Sequence, residues 1–387
     1  MTIARWVGVG ESVDTDSAAA GASARASALA GRDAARLLIV FASPAHDLPA
    51  LLRGIAPGDV PLVGCSTAGE IATSGPGDHG VVVLALGGPG FAACTRVATG
   101  ASKRLREAGA EVAECLQTVE PRPHRALLLL SDGLAGDQQA IVRGAYDVAG
   151  SGVPLVGGCA GDDLAMRATF QLYGEQVLQD AVIGVALGSD APLGIGVQHG
   201  WQRVGEPVLV TSSAGNRVFT LDDRPALDVY LERLEAPAEV WDDPAAFTLF
   251  ALSHPLGLGR RSGEDHVRFV GGANFEDRSL GCIAEVPQGG IAFFMEGDSE
   301  SVLTATDGAC AGALAALDGA PALGVLAFDC IARRSVLGAA GIADEVSRIG
   351  AACGGAPVAG FYTYGEIART RGISGFHNQT LVVMALA

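Results

Sequence analysis

The chain has 387 residues, which is longer than one ordinary hydrophobic core allows and predicts two domains. Hydrophobic residues make up 49% of the chain and charged residues 18%, a balance that excludes a disordered protein, and the 54 glycines predict many turns between short elements. The formal net charge of −17 disfavours nucleic acids and anionic membrane surfaces as partners, because both are bound by basic surfaces.

Targeting signals and cysteine motifs are missing from the sequence. No run approaches the roughly 18 apolar residues of a membrane helix, and residues 1–10 lack the basic and apolar regions of a signal peptide. None of the eight cysteines is spaced as C-x-x-C, so the sequence contains neither a zinc-ribbon motif nor a C-x-x-C redox motif. We therefore expect a cytoplasmic protein whose cysteines are mostly buried, reduced side chains.

The first predicted elements alternate between helix and strand. Residues 14–36 are rich in alanine and serine and predict an amphipathic helix. Residues 37–41 are apolar at every position, which indicates a strand covered on both faces. A short helix follows at 47–55, and a strand is predicted at 81–86 after a polar loop.

Similar elements continue along the chain. We predict a helix at 102–118, a strand at 126–130 and a helix at 137–149, and then a β-rich stretch from 181 to 210. A helix beginning near Pro225 marks the boundary between two predicted domains, residues 1–215 and 216–387. The second domain combines a β-rich region at 247–295 with a final strand, helix and strand over 323–386, the helix at 343–353.

One motif occurs twice, as GCSTAGEI at residues 64–71 and as GFYTYGEI at residues 360–367. Each copy follows a proline and a short apolar run and precedes another apolar run. A third, looser copy lies at 153–162, also after an apolar strand and a helix. The chain is therefore predicted to have arisen by duplication of a unit.

Each unit has the order of a β-α-β motif, in which the two strands are usually parallel neighbours. The predicted fold class is α/β, with repeated β-α-β units forming mixed sheets in two halves. The motif glycines then follow the carboxyl end of the second strand, where open α/β sheets bind ligands. Ser66, Thr67 and Glu70 supply polar groups for a pocket rim. The alternative is a tight turn that needs glycine only for its backbone angles.

These motifs resemble the signatures of FIST proteins, which are bacterial sensory modules with an N-terminal and a C-terminal half. The resemblance rests on residues 64–71, on residues 360–367 and on the closing stretch FHNQTLVV at 376–383. Shorter matches extend it over nearly the whole chain, at 200–201, 210–211, 225–227, 255–257, Cys330 and Arg333.

The resemblance implies ligand sensing in signal transduction, with small molecules such as amino acids as proposed ligands. Stand-alone members of the family include haem proteins that sense nitric oxide and regulate a histidine kinase. This chain has no recognisable kinase, cyclase or receiver segment, so we expect a sensor, not an enzyme, that acts through a separate partner protein.

The C-terminal motif supplies the strongest candidate ligand site. Arg333 is predicted to clamp a carboxylate through two parallel hydrogen bonds, with Tyr364, Glu366 and Asn378 orienting an amine or a second polar group. The alternative is an ion pair between Arg333 and Glu366 that closes the repeat. The complete set of candidate ligand-binding residues is Arg333, Tyr364, Glu366, Asn378, Thr363, Cys330, Cys65, Ser66, Thr67 and Glu70.

Two other functions remain open from the sequence. If haem b is bound, His199 is the first candidate for the iron ligand, because apolar residues and Trp201 flank it, and His377 is the second. No C-x-x-C-H motif occurs, so covalent haem attachment through that motif is excluded. A hydrolase or lyase would use Glu366 and Tyr364 as acid and base, or Cys65 or Ser66 as nucleophile, although no histidine partner for a nucleophile can be assigned.

Overall fold

Three copies of one structural unit account for most of the fold. They are seen in a computed structural model that describes residues 5–259, 266–370 and 375–387. Each unit contains, in chain order, an edge strand, a helix, two strands joined by a second helix, a small β-hairpin and a closing strand. The loose copy near residue 157 therefore lies in a complete unit, and the structural repeat has three copies among the described residues.

The first unit confirms most of the predicted elements. Asp47 caps its second helix by accepting a hydrogen bond from the backbone N–H of Ala50 (3.0 Å). The edge strand and the hairpin were not predicted from the sequence. The elements are β1 (Trp6–Ser12), α1 (Ser17–Leu29), β2 (Ala35–Ala42), α2 (Leu48–Ile55), β3 (Leu62–Ser66), β4 (Glu70–Ala72), β5 (Gly75–Gly77) and β6 (Val81–Gly87).

The second unit repeats this order. Asp137 caps its second helix, and its side chain accepts a hydrogen bond from the N–H of Gln139 (3.0 Å). The elements are β7 (Phe91–Thr99), α3 (Leu105–Ala113), β8 (His124–Ser131), α4 (Gln138–Ala149), β9 (Leu155–Cys159), β10 (Gln171–Tyr173), β11 (Gln176–Leu178) and β12 (Ala181–Ser189).

The third unit opens with β13 (Leu193–Gln198) and is then interrupted by an inserted antiparallel sheet. Phe247, predicted to begin a β-rich region, lies instead in a helix whose apolar face packs on this sheet. The inserted elements are β14 (Gln202–Ala214), β15 (Arg217–Leu221), β16 (Arg224–Pro225), α5 (Ala226–Arg233), α6 (Pro244–Ala251), β17 (Leu256–Leu258), β18 (His266–Arg268), β19 (Val270–Asn274), β20 (Ser279–Cys282) and β21 (Ile291–Glu296).

After the insertion the third unit resumes. Its second helix begins immediately after the strand and is broken at Gly338, where φ is +62°. The predicted helix at 343–353 corresponds to the part that follows this break. The elements are α7 (Ser299–Ala315), β22 (Gly324–Cys330), α8 (Ile331–Ala352), β23 (Val358–Thr363), β24 (Glu366–Arg369), β25 (Phe376–His377) and β26 (Leu381–Leu386).

The units exchange hairpins, and this exchange ties the chain together. Each unit forms a six-stranded mixed sheet in which two central strands are parallel, as predicted for an α/β fold of β-α-β units. The last two strands of each sheet are a hairpin from another unit. The strand orders are β1-β6-β2-β3-β10-β11, β7-β12-β8-β9-β24-β25 and β13-β26-β22-β23-β4-β5.

The three sheets share one apolar core, with the helices on their outer faces. Phe41, Phe328 and Phe361 meet there, and the ring centroids of Phe41 and Phe361 are 4.7 Å apart. On β2, Ile39 faces this core while Val40 packs under α1 and α2. The strands are apolar at consecutive positions because both of their faces are covered.

The motif loops of the three units meet at the carboxyl ends of the parallel strands. The N–H of Ala68 donates to the carbonyl of Tyr362 (3.0 Å), and the N–H of Tyr364 donates to the carbonyl of Cys159 (3.1 Å). The N–H of Gly161 donates to the carbonyl of Ser66 (3.0 Å) and completes the set. The repeated motif therefore lies where all three units contact one another.

Within residues 5–259, 266–370 and 375–387, no helix combines the length and the apolar character needed to cross a membrane.

Candidate functional site

Thr67 and Glu70 close the motif turn of the first unit. The hydroxyl of Thr67 donates to Glu70 Oε1 (2.5 Å), and the N–H of Gly80 donates to Oε2 of the same carboxylate (2.9 Å). Burial raises the pKa of Glu70 to about 7, and these hydrogen bonds only partly oppose that rise. The carboxylate thus links the motif turn to the segment just before β6.

Thr363 and Glu366 repeat this arrangement in the third unit. The hydroxyl of Thr363 donates to Glu366 Oε1 (2.5 Å), and the N–H and hydroxyl of Thr380 both donate to Oε2 (3.1 and 2.8 Å). Burial raises the pKa of Glu366 to about 7 as well. In both units the buried glutamate of the Thr-x-Gly-Glu sequence therefore connects the motif turn to the segment that precedes the closing strand.

Arg333 lies in a buried ionic network. Its Nε donates to Asp329 Oδ1 (2.7 Å), its Nη2 to Glu345 Oε1 (2.6 Å) and its Nη1 to the carbonyl of His199 (2.8 Å). The side chains of Arg333 and Asp329 are fully buried, and Glu345 is 1% exposed. All three guanidinium nitrogens of Arg333 thus donate to partners inside the protein, whereas the carboxylate of Glu366 accepts hydrogen bonds from Thr363 and Thr380.

Tyr364 is half-buried and Asn378 is buried. The Tyr364 hydroxyl donates to the carboxylate of Asp162 and accepts the N–H of Leu164 (2.8 Å). Burial would raise the pKa of Asp162, but this hydroxyl and three backbone amides hold it below its usual value. The side chain of Asn378 is buried, and its Oδ1 has no partner among the described residues. Tyr364 therefore supports the loop that follows β9.

The nucleophile candidates are also internal. The Ser66 hydroxyl donates to the carbonyl of Gly161 (2.7 Å) and accepts the N–H of Phe170 (2.8 Å). Cys65 and Cys330 are buried, and burial raises the pKa of both thiols well above its ordinary value. A buried thiol of this kind is inert as a nucleophile.

The two histidines proposed for haem take part in local structure. His199 Nδ1 accepts the N–H of Trp201 (3.0 Å), which places the proton of a neutral imidazole on Nε2. In this tautomer Nε2 has no lone pair for iron, and the lone pair of Nδ1 is used in the hydrogen bond. His377 Nε2 donates to the carbonyl of Ala368 (2.9 Å). Neither histidine lines the cleft described next.

A cleft of about 400 Å³ opens at the carboxyl edge of the third unit's sheet. All three units contribute to it, through the motif turn after β3, the turn before β6, the loop after β9 and the first turns of α8. The lining residues are Ala68, Asp78, His79, Asp163, Leu164, Ile331, Arg334, Ser335, Gly338, Ala339 and Ile342. The cleft has the position that open α/β sheets use for ligands.

Arg334, next to the buried Arg333, supplies a guanidinium to this cleft. Its Nη1 donates to the carbonyl of Ala68 (2.8 Å), its Cζ lies 4.7 Å from the ring centroid of Tyr362, and its Nη2 is 2.5 Å from Asp78 Oδ1. Its side chain is 17% exposed and that of Asp78 is 61% exposed. Ala68 and Tyr362 thus hold the guanidinium from inside the fold, and the solvent-exposed carboxylate of Asp78 pairs with its outer side.

Gly69 makes room for this arginine. Its φ is +112°, and a Cβ built on it would lie 2.0 Å from Arg334 Nη1. The glycine of the repeated motif is therefore needed here for two reasons: its positive φ in the turn and the close contact with the Arg334 side chain.

Asp163 also lines the cleft. Its carboxylate accepts the hydroxyl of Ser43 (3.2 Å) and lies 3.9 Å from His79 Nδ1. Burial raises the pKa of Asp163, partly opposed by Ser43 and His79. The cleft therefore offers an arginine for an anionic group and carboxylates for a cationic or donor group.

Sequence reasoning missed the residues that line the cleft, although one signal for them was available. Asp78 and Asn378 occupy equivalent positions, because each lies two residues before the residue whose N–H donates to the glutamate of its own repeat. Aligning the two repeats, with Asn378 already a candidate, would have selected Asp78. The choice between Arg333 and Arg334 depends on the start of α8, which the sequence analysis placed too late.

Comparison with protein families gives two matches. The FIST N domain matches residues 36–224 and the FIST C domain matches residues 226–369. Among curated proteins, an uncharacterized protein of Methanocaldococcus jannaschii is 27% identical over 264 residues, which is 62% of this chain and 49% of the relative. The chain thus spans about half the length of that relative.

Proposed function

Because the chain belongs to the FIST family, whose domains are associated with sensing in signal transduction, we propose that it binds a small ligand in the cleft beside Arg334. The observation that carries this proposal is the fixed guanidinium. Ala68 and Tyr362 hold it in place, so that a ligand carboxylate can form two parallel hydrogen bonds without first ordering the side chain.

The charges of the cleft support a ligand with both an anionic and a donor group. A carboxylate would bind Arg334, and an amine or hydroxyl would bind Asp163, which lines the same cleft. Amino acids and related metabolites have this combination. Arg334 thus replaces its neighbour Arg333 as the proposed carboxylate-binding residue, and the proposed ligands remain small molecules such as amino acids.

Signalling would pass through a separate partner protein, as we expected from the sequence. The cleft combines residues from both proposed halves, 1–215 and 216–387, since Asp78 and Asp163 lie in the first and Arg334 in the second. A ligand that contacts all three side chains stabilises one relative arrangement of these elements. This supports a change of conformation or rigidity, and not chemistry on the ligand, as the output.

A thermal-shift screen of amino acids and other small metabolites tests the proposal. A ligand should raise the melting temperature of the wild-type protein, and Arg334→Ala should abolish that rise. Arg348→Ala is a matched control, because Arg348 is a half-buried arginine of the same helix that pairs with Asp307 and Asp344 away from the cleft. A ligand whose effect survives in Arg334→Ala would contradict this site.

A further inference from the structure

We propose that Asp78 is a tethered competitor for the ligand of Arg334, and that it sets both the affinity and the charge class of that ligand. This inference rests on the proposed function, because it assumes that the ligand places an anionic group on Arg334. It adds a residue that determines specificity, located on the turn between β5 and β6.

The geometry of the pair carries the first step. Both side chains line the cleft, and Asp78 Oδ1 lies 2.5 Å from Arg334 Nη2. Ala68 and Tyr362 contact Arg334 from inside the fold, whereas Asp78 contacts it from a side chain that is 61% exposed. Of these contacts, the one with Asp78 is therefore the easiest to exchange for another carboxylate.

Charge gives the second step. A ligand that displaces Asp78 from Arg334 leaves that carboxylate in the cleft, which Asp163 also lines. A second negative charge on the ligand would face the carboxylates of Asp78 and Asp163, because the first charge already occupies Arg334. His79 lies 3.9 Å from Asp163 and offsets its charge only when protonated. The cleft should therefore accept ligands with a single carboxylate and disfavour dianions such as phosphate.

The turn that bears Asp78 connects the cleft to the buried motif. Gly80, two residues on, donates its N–H to Glu70 (2.9 Å), and Thr67 donates to the same carboxylate (2.5 Å). Ala68, next to Thr67, accepts the hydrogen bond from Arg334. Asp78, Arg334, the motif turn, Glu70 and Gly80 therefore form a closed ring of contacts. A ligand that displaces Asp78 opens this ring and can change the conformation of the surface turn between β5 and β6.

The protection of Arg334 by Asp78 can be measured without knowing the ligand. Phenylglyoxal modifies accessible arginines, and mass spectrometry of the full chain gives the rate at the Arg334 peptide relative to that at exposed Arg53. Asp78→Asn should raise the relative rate about two- to fivefold, the range that a partly exposed ion pair supports. Asp344→Asn, which removes a carboxylate from Arg348 on the same helix, should leave it unchanged.

Two anions then test the charge rule in the same assay. Acetate should protect Arg334 of the wild-type protein better than inorganic phosphate, and Asp78→Asn should narrow that difference because one repelling carboxylate is gone. An unchanged Arg334 rate in Asp78→Asn would overturn the competitor role, and equal protection by both anions would overturn the charge rule. If Asp78→Asn behaves as expected while no metabolite depends on Arg334, the proposed function fails instead.

Discussion

Gly69 and Arg334 pack so closely that a methyl group on the glycine would lie 2.0 Å from the guanidinium Nη1. These residues lie far apart in the chain, in the first and third structural units. The contact places an arginine of one unit against the motif turn of another. It sets the repeated glycine directly against an arginine that lines the cleft, and it links the motif to the proposed site more directly than the motif's own polar side chains do.

Gly69→Ala should therefore disturb both stability and binding. Its φ of +112° disfavours alanine, and the added methyl forces Arg334 away from Ala68, so we expect a loss of about 2–4 kcal/mol in the free energy of unfolding. Gly58→Ala is the control, because Gly58 also has positive φ (+61°) but nothing within 4 Å of its Cβ. Urea unfolding measures both, and equal losses would show that the Arg334 contact contributes nothing.

Arg333→Met should destabilise the protein far more than Arg334→Ala does. Removing Arg333 leaves Asp329 and Glu345 buried without their shared cation, which costs about 3–5 kcal/mol. Arg348→Met, on the same helix and also between two carboxylates but 39% exposed, should change stability by no more than about 0.5 kcal/mol. Comparable urea midpoints for Arg333→Met and Arg348→Met would be inconsistent with the buried network.

The buried glutamates should make stability fall as the pH rises. Glu366 has a pKa raised from 4.5 to about 7, so the folded state binds its proton more tightly than the unfolded state, and that stabilisation is lost as the pH rises from about 4.5 to 7. In Glu366→Gln this fall should shrink by up to about 3 kcal/mol, as measured by urea unfolding between pH 5 and 8. Glu300→Gln, on the exposed first turn of α7, controls for the loss of one charge. Parallel pH profiles for Glu366→Gln and the wild type would refute the raised pKa.

Thiol reactivity should follow burial. Cys65 and Cys330 are buried with raised pKa values, whereas Cys94 is partly exposed. Iodoacetamide should label Cys65 and Cys330 at least about tenfold more slowly than Cys94 in the native protein, as followed by mass spectrometry. The difference should vanish in denaturant. Fast native labelling of Cys65 would revive the interpretation of that residue as a reactive thiol.

Local patterns predicted the fold well where one unit determines its own structure. The strand at Leu37–Phe41 is apolar on both faces, and Asp47 and Asp137 begin helices by the capping chemistry of their own side chains. The hairpins at Glu70 and Glu366 were missed because each is short and pairs with the sheet of another unit. That pairing is a long-range choice, on which local periodicity carries no information.

The sequence analysis selected Arg333 for the ligand, whereas its neighbour Arg334 lines the cleft of the proposed site. On an α-helix, consecutive side chains point about 100° apart, so Arg333 enters the network with Glu345 while Arg334 reaches the cleft. Assigning these directions requires the start of α8 at Ile331, and the sequence analysis began the helix at 343. The sequence analysis selected Glu70 and Glu366 as ligand groups because threonine, glycine and glutamate suit the rim of a pocket as well as a buried hydrogen-bonded turn.

The central claim is that the ligand binds at Arg334, and nuclear magnetic resonance of the arginine Nε–H group tests it most directly. The Arg334 signal would be assigned by its loss in Arg334→Lys and followed during titration with a ligand found by the thermal-shift screen. The proposed site requires this signal to shift in proportion to saturation, while that of Arg348 stays in place. A ligand that saturates the protein and leaves the Arg334 signal unmoved would contradict it.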